Sequence, residues 1–313
     1  MRLILPAILL PVTVLLSGCN PADFGSSERY KADIHYTLKP TERLNIETFN
    51  GEVEVAGWDE ASIEVTGEKY ANTQGGLDSI KIDVHESASI SEIHVTRPHS
   101  IHLNQGTRLL IRAPRKTVID RAVSSNGAIR IHDMTSEARV ETSNGAVHIE
   151  NVTGNVNAHT SNGAIELDSV TGKLTLKTSN GRVRAEEITG QCEAETSNGP
   201  VALRFKDAPE GPVRVHTSNG SVDLTLNKSP KNSVTAETSN GSITVELPGN
   251  LAARLNAHTS GSNISSDFDV ASSGDSEKEK HRLEGNIGGG GPSIDLSTNN
   301  GGIHLRKTTA SAN

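Results

Sequence analysis

"TSNGAVHIENVTGNVNAH", Thr142 to His159, runs directly into "TSNGAIELDSVTGKLTLK", Thr160 to Lys177, and then into "TSNGRVRAEEITGQCEAE", Thr178 to Glu195. Aligned on the first residue of T-S-N-G, the column reads Ser124, Thr142, Thr160, Thr178, Thr196, Thr217, Thr238 and Thr259, with steps of 18 four times and then 21 three times. A fixed period of this size is the mark of a stacked-repeat architecture.

Each line contains a nine-residue echo: Gly145 precedes Val147 and Ile149, and Gly154 precedes Val156 and Ala158. Apolar residues alternate along both halves, which predicts two short strands per line with one buried face each. The columns agree. Val147, Ile165, Val183, Val201, Val222 and Ile243 align, as do Val156, Leu174, Cys192, Val213, Val234 and Leu255 on the opposite side. His148, Glu166, Arg184 and Asp223 fall between core positions and face outward. The expected fold is therefore all-β, a parallel β-helix or β-solenoid with 18- and 21-residue coils. Ten coils stacked at about 4.8 Å would make a rod about 50 Å long. Its two-layer core of Val, Ile, Leu and Ala fits a chain with only 3% aromatic residues.

Asn126, Asn144, Asn162, Asn180, Asn198, Asn219 and Asn240 each precede a glycine at the same corner. Asn-Gly is a favoured tight-turn pair, and glycine accepts positive φ without steric cost, so positive φ is expected there. A hairpin turn is the rival reading, but it does not explain recurrence once per full coil. Stacked asparagines can form an amide ladder, so the motif reads as structural. The longer coils carry "KDAPEGP" and "NKSPKNS" at the other corner, where the shorter coils have "VTG".

The ends are less regular. "LNIETFNGEVEVAGWDEASIEVTG" reads as a diverged first coil with the only tryptophan, Trp58, and "DSIKIDVHESASISEIHVTRP" as an antiparallel excursion. "SSGDSEKEKHRLEGN", Ser272 to Asn286, reads as a mobile polar loop, followed by closing strands that act as a cap. The expected organisation is a signal peptide over 1–18, a lipidated N-terminus and tether over 19–40, and an N-terminal coil, excursion and cap over 41–123. Regular repeats follow over 124–265, then a loop and capping strands over 266–313.

The first nineteen residues combine Met1-Arg2, the apolar run "LILPAILLPVTVLL" and "LSGC" ending at Cys19. The run is shorter than the roughly 20 residues of a spanning helix. The segment resembles a bacterial lipoprotein signal; that resemblance implies a lipidated Cys19, with palmitate as an expected acyl group. Asn20 is not the aspartate that resembles an inner-membrane retention mark, so the expected address is the periplasmic face of the outer membrane. Without Arg2, the 30 basic residues become 29 against 38 acidic, a balance of −9. Nucleic acid, which rewards a basic footprint, is thereby disfavoured. Apart from Cys19 the chain has one cysteine, Cys192, so no intrachain disulfide is expected.

"FNGEVEVAGWD", the "SNG-[AS]-[IV]" series and the closing "GGGGPSIDLSTNNGGIHL" resemble the bacterial putative-adhesin family of unknown function, over about Leu44 to Leu305. The resemblance implies a parallel β-helix and a cell-envelope location, and it transfers no catalytic residue.

Other chemistries fit the residues less well. A calcium roll needs oxygen ligands where Val147, Ile165 and Val183 stand. A hexapeptide acyltransferase coil repeats at six, not nine. A polysaccharide lyase or hydrolase would draw on Glu166, Asp168, Arg182, Arg184, Glu186 and Arg204, which also read as a solvated strand face. The column Glu141, His159, Lys177, Glu195, His216, Glu237 and His258 could titrate near neutrality or merely alternate charge. Cys192 reads as a buried thiol. The sequence thus predicts a non-enzymatic envelope lipoprotein without cofactor or metal, held at the membrane by its lipid. It would be a scaffold for adhesion or for binding a protein or glycan partner. A carbohydrate-active β-helix enzyme and an envelope stress-sensing scaffold are the alternatives.

Overall fold

The computed structural model describes residues 30–96, 105–271 and 280–308. The described chain is all-β and solenoid-like: a 24-stranded sheet system with one short helix, Gln74–Ser79. Two parallel ladders face each other. Successive strands of one ladder pair Val147 with Ile165, Ile165 with Val183, Val183 with Val201, Val201 with Val222 and Val222 with Ile243. The other pairs Val156 with Leu174, Leu174 with Cys192, Cys192 with Val213 and Val213 with Val234. All of these side chains are buried at 0–1% exposure, so the two ladders meet across an apolar core two residues deep. Alternation decides the faces: each strand puts every second side chain inward and the intervening ones into solvent.

Rung order departs from sequence order at both ends. Arg43–Thr48 lies between Val118–Ser124 and Ile90–Thr96, and Val53–Trp58 lies between Ile129–His132 and Gly106–Pro114. The first coil of the sequence is therefore one rung inside the end. At the far end, Ser293–Thr298 pairs with both Val234–Thr238 and Ala253–Thr259, and Ile303–Lys307 with both Ile243–Leu247 and Ile264–Ser266. The closing strands expected to form the cap are thus internal. The columns built from sequence are interrupted accordingly: Ile294 stands between Val234 and Leu255. Column matching cannot detect this, because the inserted rung carries the same pattern as its neighbours.

Antiparallel strands cover both strands of the first end rung and one of the two strands of the last. Lys81–Glu86 covers Ile90–Thr96, Ile63–Ala71 covers Gly106–Pro114 and is itself covered by Tyr30–Leu38, and Arg282–Ile287 covers Ala253–Thr259. Part of the stretch read as a loop is therefore strand; its earlier part, 272–279, lies outside the described residues. The cover occupies donors and acceptors that an open edge would leave unpaired. After Arg282–Ile287 the chain crosses Ala253–Thr259 from its outer edge to its inner one. Gly288, Gly289 and Gly290 make the crossing with φ of 57°, 88° and 88°. A Cβ on Gly288 would lie 2.3 Å from the Leu251 carbonyl oxygen, so the crossing needs glycine for space as well as for φ.

Val183→Asp puts a charge into the two-layer core, where nothing can pair it. Asn157→Asp changes an exposed position in register with Arg139 and Thr175. The first should lower the melting temperature by an amount equivalent to about 3 kcal/mol or more, and the second should stay within about 0.5 kcal/mol. Thermal unfolding followed by circular dichroism measures both, and equal shifts would contradict the assigned faces.

Candidate functional site

The described chain presents one repeated corner and two outward strand faces. At the corner, the threonine hydroxyls of three successive coils work twice. Thr160 Oγ1 accepts from the Gly163 amide at 3.1 Å and donates to the Gly145 carbonyl of the preceding coil at 2.9 Å. Thr142 and Thr178 repeat the arrangement, and Thr196, Thr217, Thr238, Thr298 and Thr259 repeat the donation to the neighbouring coil. The sequence reading used this threonine only to mark the period. Its near-complete burial, 0–6% exposed from Thr142 to Thr298, was the missed feature.

At this corner Gly51 of the first coil has φ of 110°, but none of the seven glycines that follow Asn126 to Asn240 has φ in the left-handed region, contrary to expectation. They are required for close approach instead. A Cβ on Gly181 would lie 1.7 Å from the Gly163 carbonyl oxygen, and one on Gly163 would lie 1.8 Å from that of Gly145. The carbonyl of one coil occupies the space that a side chain on the next would need. Positive φ occurs at the opposite corner, at Asp133, Asn151, Ser169 and Glu187, with φ of 51–60°. Asn and Asp tolerate this conformation; Glu187 is the unusual member, and its residue type gave no signal.

Outside the threonines, each asparagine donates from Nδ2 to Oδ1 of the asparagine one coil earlier. The distances run from 2.7 to 2.9 Å from Asn144 on Asn126 through Asn162, Asn180, Asn198 and Asn219 to Asn240. Asn300 extends the series by donating to Asn240 at 2.8 Å. Cys19, the expected lipidation site, lies outside the described residues.

Of the acidic and basic candidates on the first face, Glu166 is the hub. Its carboxylate meets Arg182 and, at 3.1 Å, His148 Nδ1. The Arg182 hydrogen bond holds the Glu166 carboxyl below the usual carboxylate range. Arg184 turns to Glu186 at 2.7 Å, Asp168 accepts from Ser169 Oγ at 2.7 Å, and Arg204 stands beside Thr225. These groups form local ion pairs along a strand face. On the second face, Glu141, His159, Lys177, Glu195, His216 and Glu237 are in register on adjacent strands. Ser297 then separates Glu237 from His258. Lys177 is drawn to Glu195 at 2.9 Å, which raises its pKa and lowers that of Glu195. Cys192 is fully buried, and burial pushes its thiol up to about 12, so it is inert as a nucleophile.

Sequence reasoning missed a second cluster. His132 Nδ1 lies 2.9 Å from Asp133 and Nε2 lies 3.3 Å from Glu54, so both ring nitrogens meet carboxylates. Burial alone would lower the imidazole pKa, but the hydrogen bonds to Asp133 and Glu54 outweigh it and the net shift is upward. Two shallow polar troughs mark the second face. One, of about 320 Å³, is lined by Glu47, Asp83, His85, Glu92, His94 and Arg121 among others. The other, of about 330 Å³, is lined by Asp120, Glu137, Arg139, Asn157 and Lys173 among others. Among the described residues no group of three His, Cys, Asp or Glu side chains is placed to hold a metal ion. No described helix is long and apolar enough to cross a membrane.

The stacked, solenoid-like sheet with its repeated Thr-Ser-Asn-Gly corner defines a structural class rather than a reaction. The chain belongs to the Toastrack (DUF4097) family, whose model matches residues 41–306. A comparison with curated proteins gives no match. Among solved structures it is similar to a putative adhesin from Bacteroides fragilis at 12% identity, covering 90% of this chain and 98% of that one with a TM-score of 0.44. It is similar to a putative adhesin from Parabacteroides distasonis at 11% identity, covering 90% and 98% with a TM-score of 0.39. A putative lipid binding protein from the same organism is 14% identical, with coverage of 91% and 98% and a TM-score of 0.39. Likenesses this distant say nothing of activity.

Two outcomes test the site. Asn180→Ala removes two ladder bonds, at about 0.5–1.5 kcal/mol each, whereas Gly181→Ala forces a backbone clash that should cost about 3 kcal/mol or more; denaturant unfolding ranks them. His132 is protonated more readily in the folded chain. Its contribution is therefore complete below the ordinary imidazole value of 6.5 and is lost as pH rises through the raised folded value. The melting-temperature gap between wild type and His132→Gln should be largest near pH 5 and close near pH 9, within about 1 kcal/mol for a half-exposed pair. A gap that widened with pH would contradict the assignment.

Proposed function

We propose that this chain is a non-enzymatic cell-envelope lipoprotein, anchored through an acylated Cys19, whose β-solenoid of 18- and 21-residue coils is a scaffold for adhesion or for binding an envelope or surface partner. The observation that carries the reading is the division of labour within each coil. Inward columns and the Thr-Asn-Gly corner repeat almost unchanged, while outward columns change from coil to coil among acidic, basic and neutral groups. The stack fixes where these outward groups sit and leaves their identity free. A protein or glycan partner would then be read by a pattern of charges along the rod.

The reading assigns 1–18 to the signal, 19–40 to the tether, 41–123 and 266–313 to the ends and 124–265 to the regular coils. The lipid places the scaffold at the periplasmic face of the outer membrane. Crosslinking in intact cells, with identification of what is captured, tests the partner. Cys19→Ala should abolish fatty-acid labelling and block processing at Cys19, seen as a change in electrophoretic mobility. Unlabelled wild-type protein would remove the anchor from the proposal. Capture of no envelope component by surface-placed crosslinkers would remove the scaffold.

A further inference from the structure

The penultimate rung, Ser293–Thr298 with Ile303–Lys307, is made by the last strands of the described chain. It occupies a slot between two rungs that are themselves in phase. Thr238 and Thr259 are 21 residues apart, the same step that joins Thr196 to Thr217 and Thr217 to Thr238. Those earlier threonines pair directly, but Thr298 stands between Thr238 and Thr259.

The rung fills this slot with repeat chemistry alone. Ile294, Leu296, Ile303 and Leu305 enter the core at 0–2% exposure. Thr298 Oγ1 donates to the Gly241 carbonyl at 2.9 Å, and Asn300 Nδ2 donates to Asn240 at 2.8 Å. On the other side, Thr259 Oγ1 donates to the Gly301 carbonyl at 2.7 Å. The connection to the rest of the chain is the glycine crossing that begins at Gly288. Its three positive-φ glycines give up no side-chain packing if it straightens.

We infer that this rung is exchangeable: the C-terminal strands of one copy insert into the slot of a second copy, and the reverse, joining two chains at their C-terminal ends. The partner is a second copy because the slot selects a complete rung, with apolar residues at alternate positions, a threonine at the corner and Asn-Gly after it. This chain carries that rung beyond the glycine crossing, whose positive-φ residues a different path of the chain can replace without loss of side-chain contacts. Exchange of an identical element needs no new interface, since every contact is one the single chain already makes. The inference goes beyond the scaffold reading and does not depend on the anchor or on any envelope partner.

The test uses two purified full-length variants, one carrying Thr235→Cys and the other Asp295→Cys, the second grown with heavy nitrogen. The two positions are outward neighbours on paired strands, at a spacing of about 4.8 Å that a disulfide can bridge. The double variant, Thr235→Cys with Asp295→Cys in one chain, should link within itself and so verifies the register. After co-incubation at high concentration and mild oxidation, mass spectrometry should find a linked peptide pair, one light and one heavy, joining positions 235 and 295. Its yield should rise with protein concentration. It should be lost when Asn157→Cys replaces Asp295→Cys. If the double variant links internally while the mixture gives no light–heavy pair, the rung is fixed in its own chain and the inference fails. An equal yield with Asn157→Cys would mean random collision, and failure of the double variant to link would remove the slot itself.

Discussion

The carbonyl oxygen of each corner glycine lies where the next coil's glycine would carry its Cβ, and that coil's threonine hydroxyl holds it there. This contact sets the fold. It explains why the corner has threonine rather than a purely apolar residue: the methyl packs in the core, while the hydroxyl satisfies a turn amide and a carbonyl of the neighbouring coil. It also explains the glycine, by excluded volume rather than by φ. Once the corner is fixed at the spacing of adjacent strands, the apolar columns superpose and the core need be only two side chains deep. Aromatic bulk is then unnecessary. Among the described residues the largest fully buried side chain is Phe205, at the start of one of the longer corners.

A stack of parallel strands leaves two open ends, and the same device recurs at both, although Ile264–Ser266 is left without a covering strand. At both ends a rung formed by an internal segment lies outside the rung nearest the chain terminus, and an antiparallel strand covers it. The first and last parallel rungs of the sequence are therefore hydrogen-bonded on both sides. An edge strand with one free side is easily peeled and readily recruits other chains; an inserted rung is neither until it leaves its slot. The glycine crossing at Gly288 is the local consequence of this topology, because the chain must pass closely over the Leu251–Ala253 backbone to change sides.

The outward columns are under weaker constraint. Glu166 gathers His148 and Arg182, Lys177 turns from His159 toward Glu195, and His132 is held between Glu54 and Asp133. Such exposed pairs add little stability individually. They place charges of both signs along the outward strand faces.

The sequence by itself determined the period, the strand pairs, the inward columns and the corner, because each depends on residues near one another in the chain and repeated many times. Strand alternation and the recurrence of Thr-Ser-Asn-Gly were enough to place Val147, Leu174 and Val183 in the core. Only the tertiary structure decided the order of rungs at the ends, since Ile294 and Leu255 fit the same column equally well and loop geometry, not column chemistry, selects between them. It alone brought Glu54, 78 positions away in the chain, to His132 opposite its neighbour Asp133. It likewise revealed that Gly181 is a matter of space: φ is a property that sequence patterns suggest, but the approach of a neighbouring coil's carbonyl exists only once the coils are stacked.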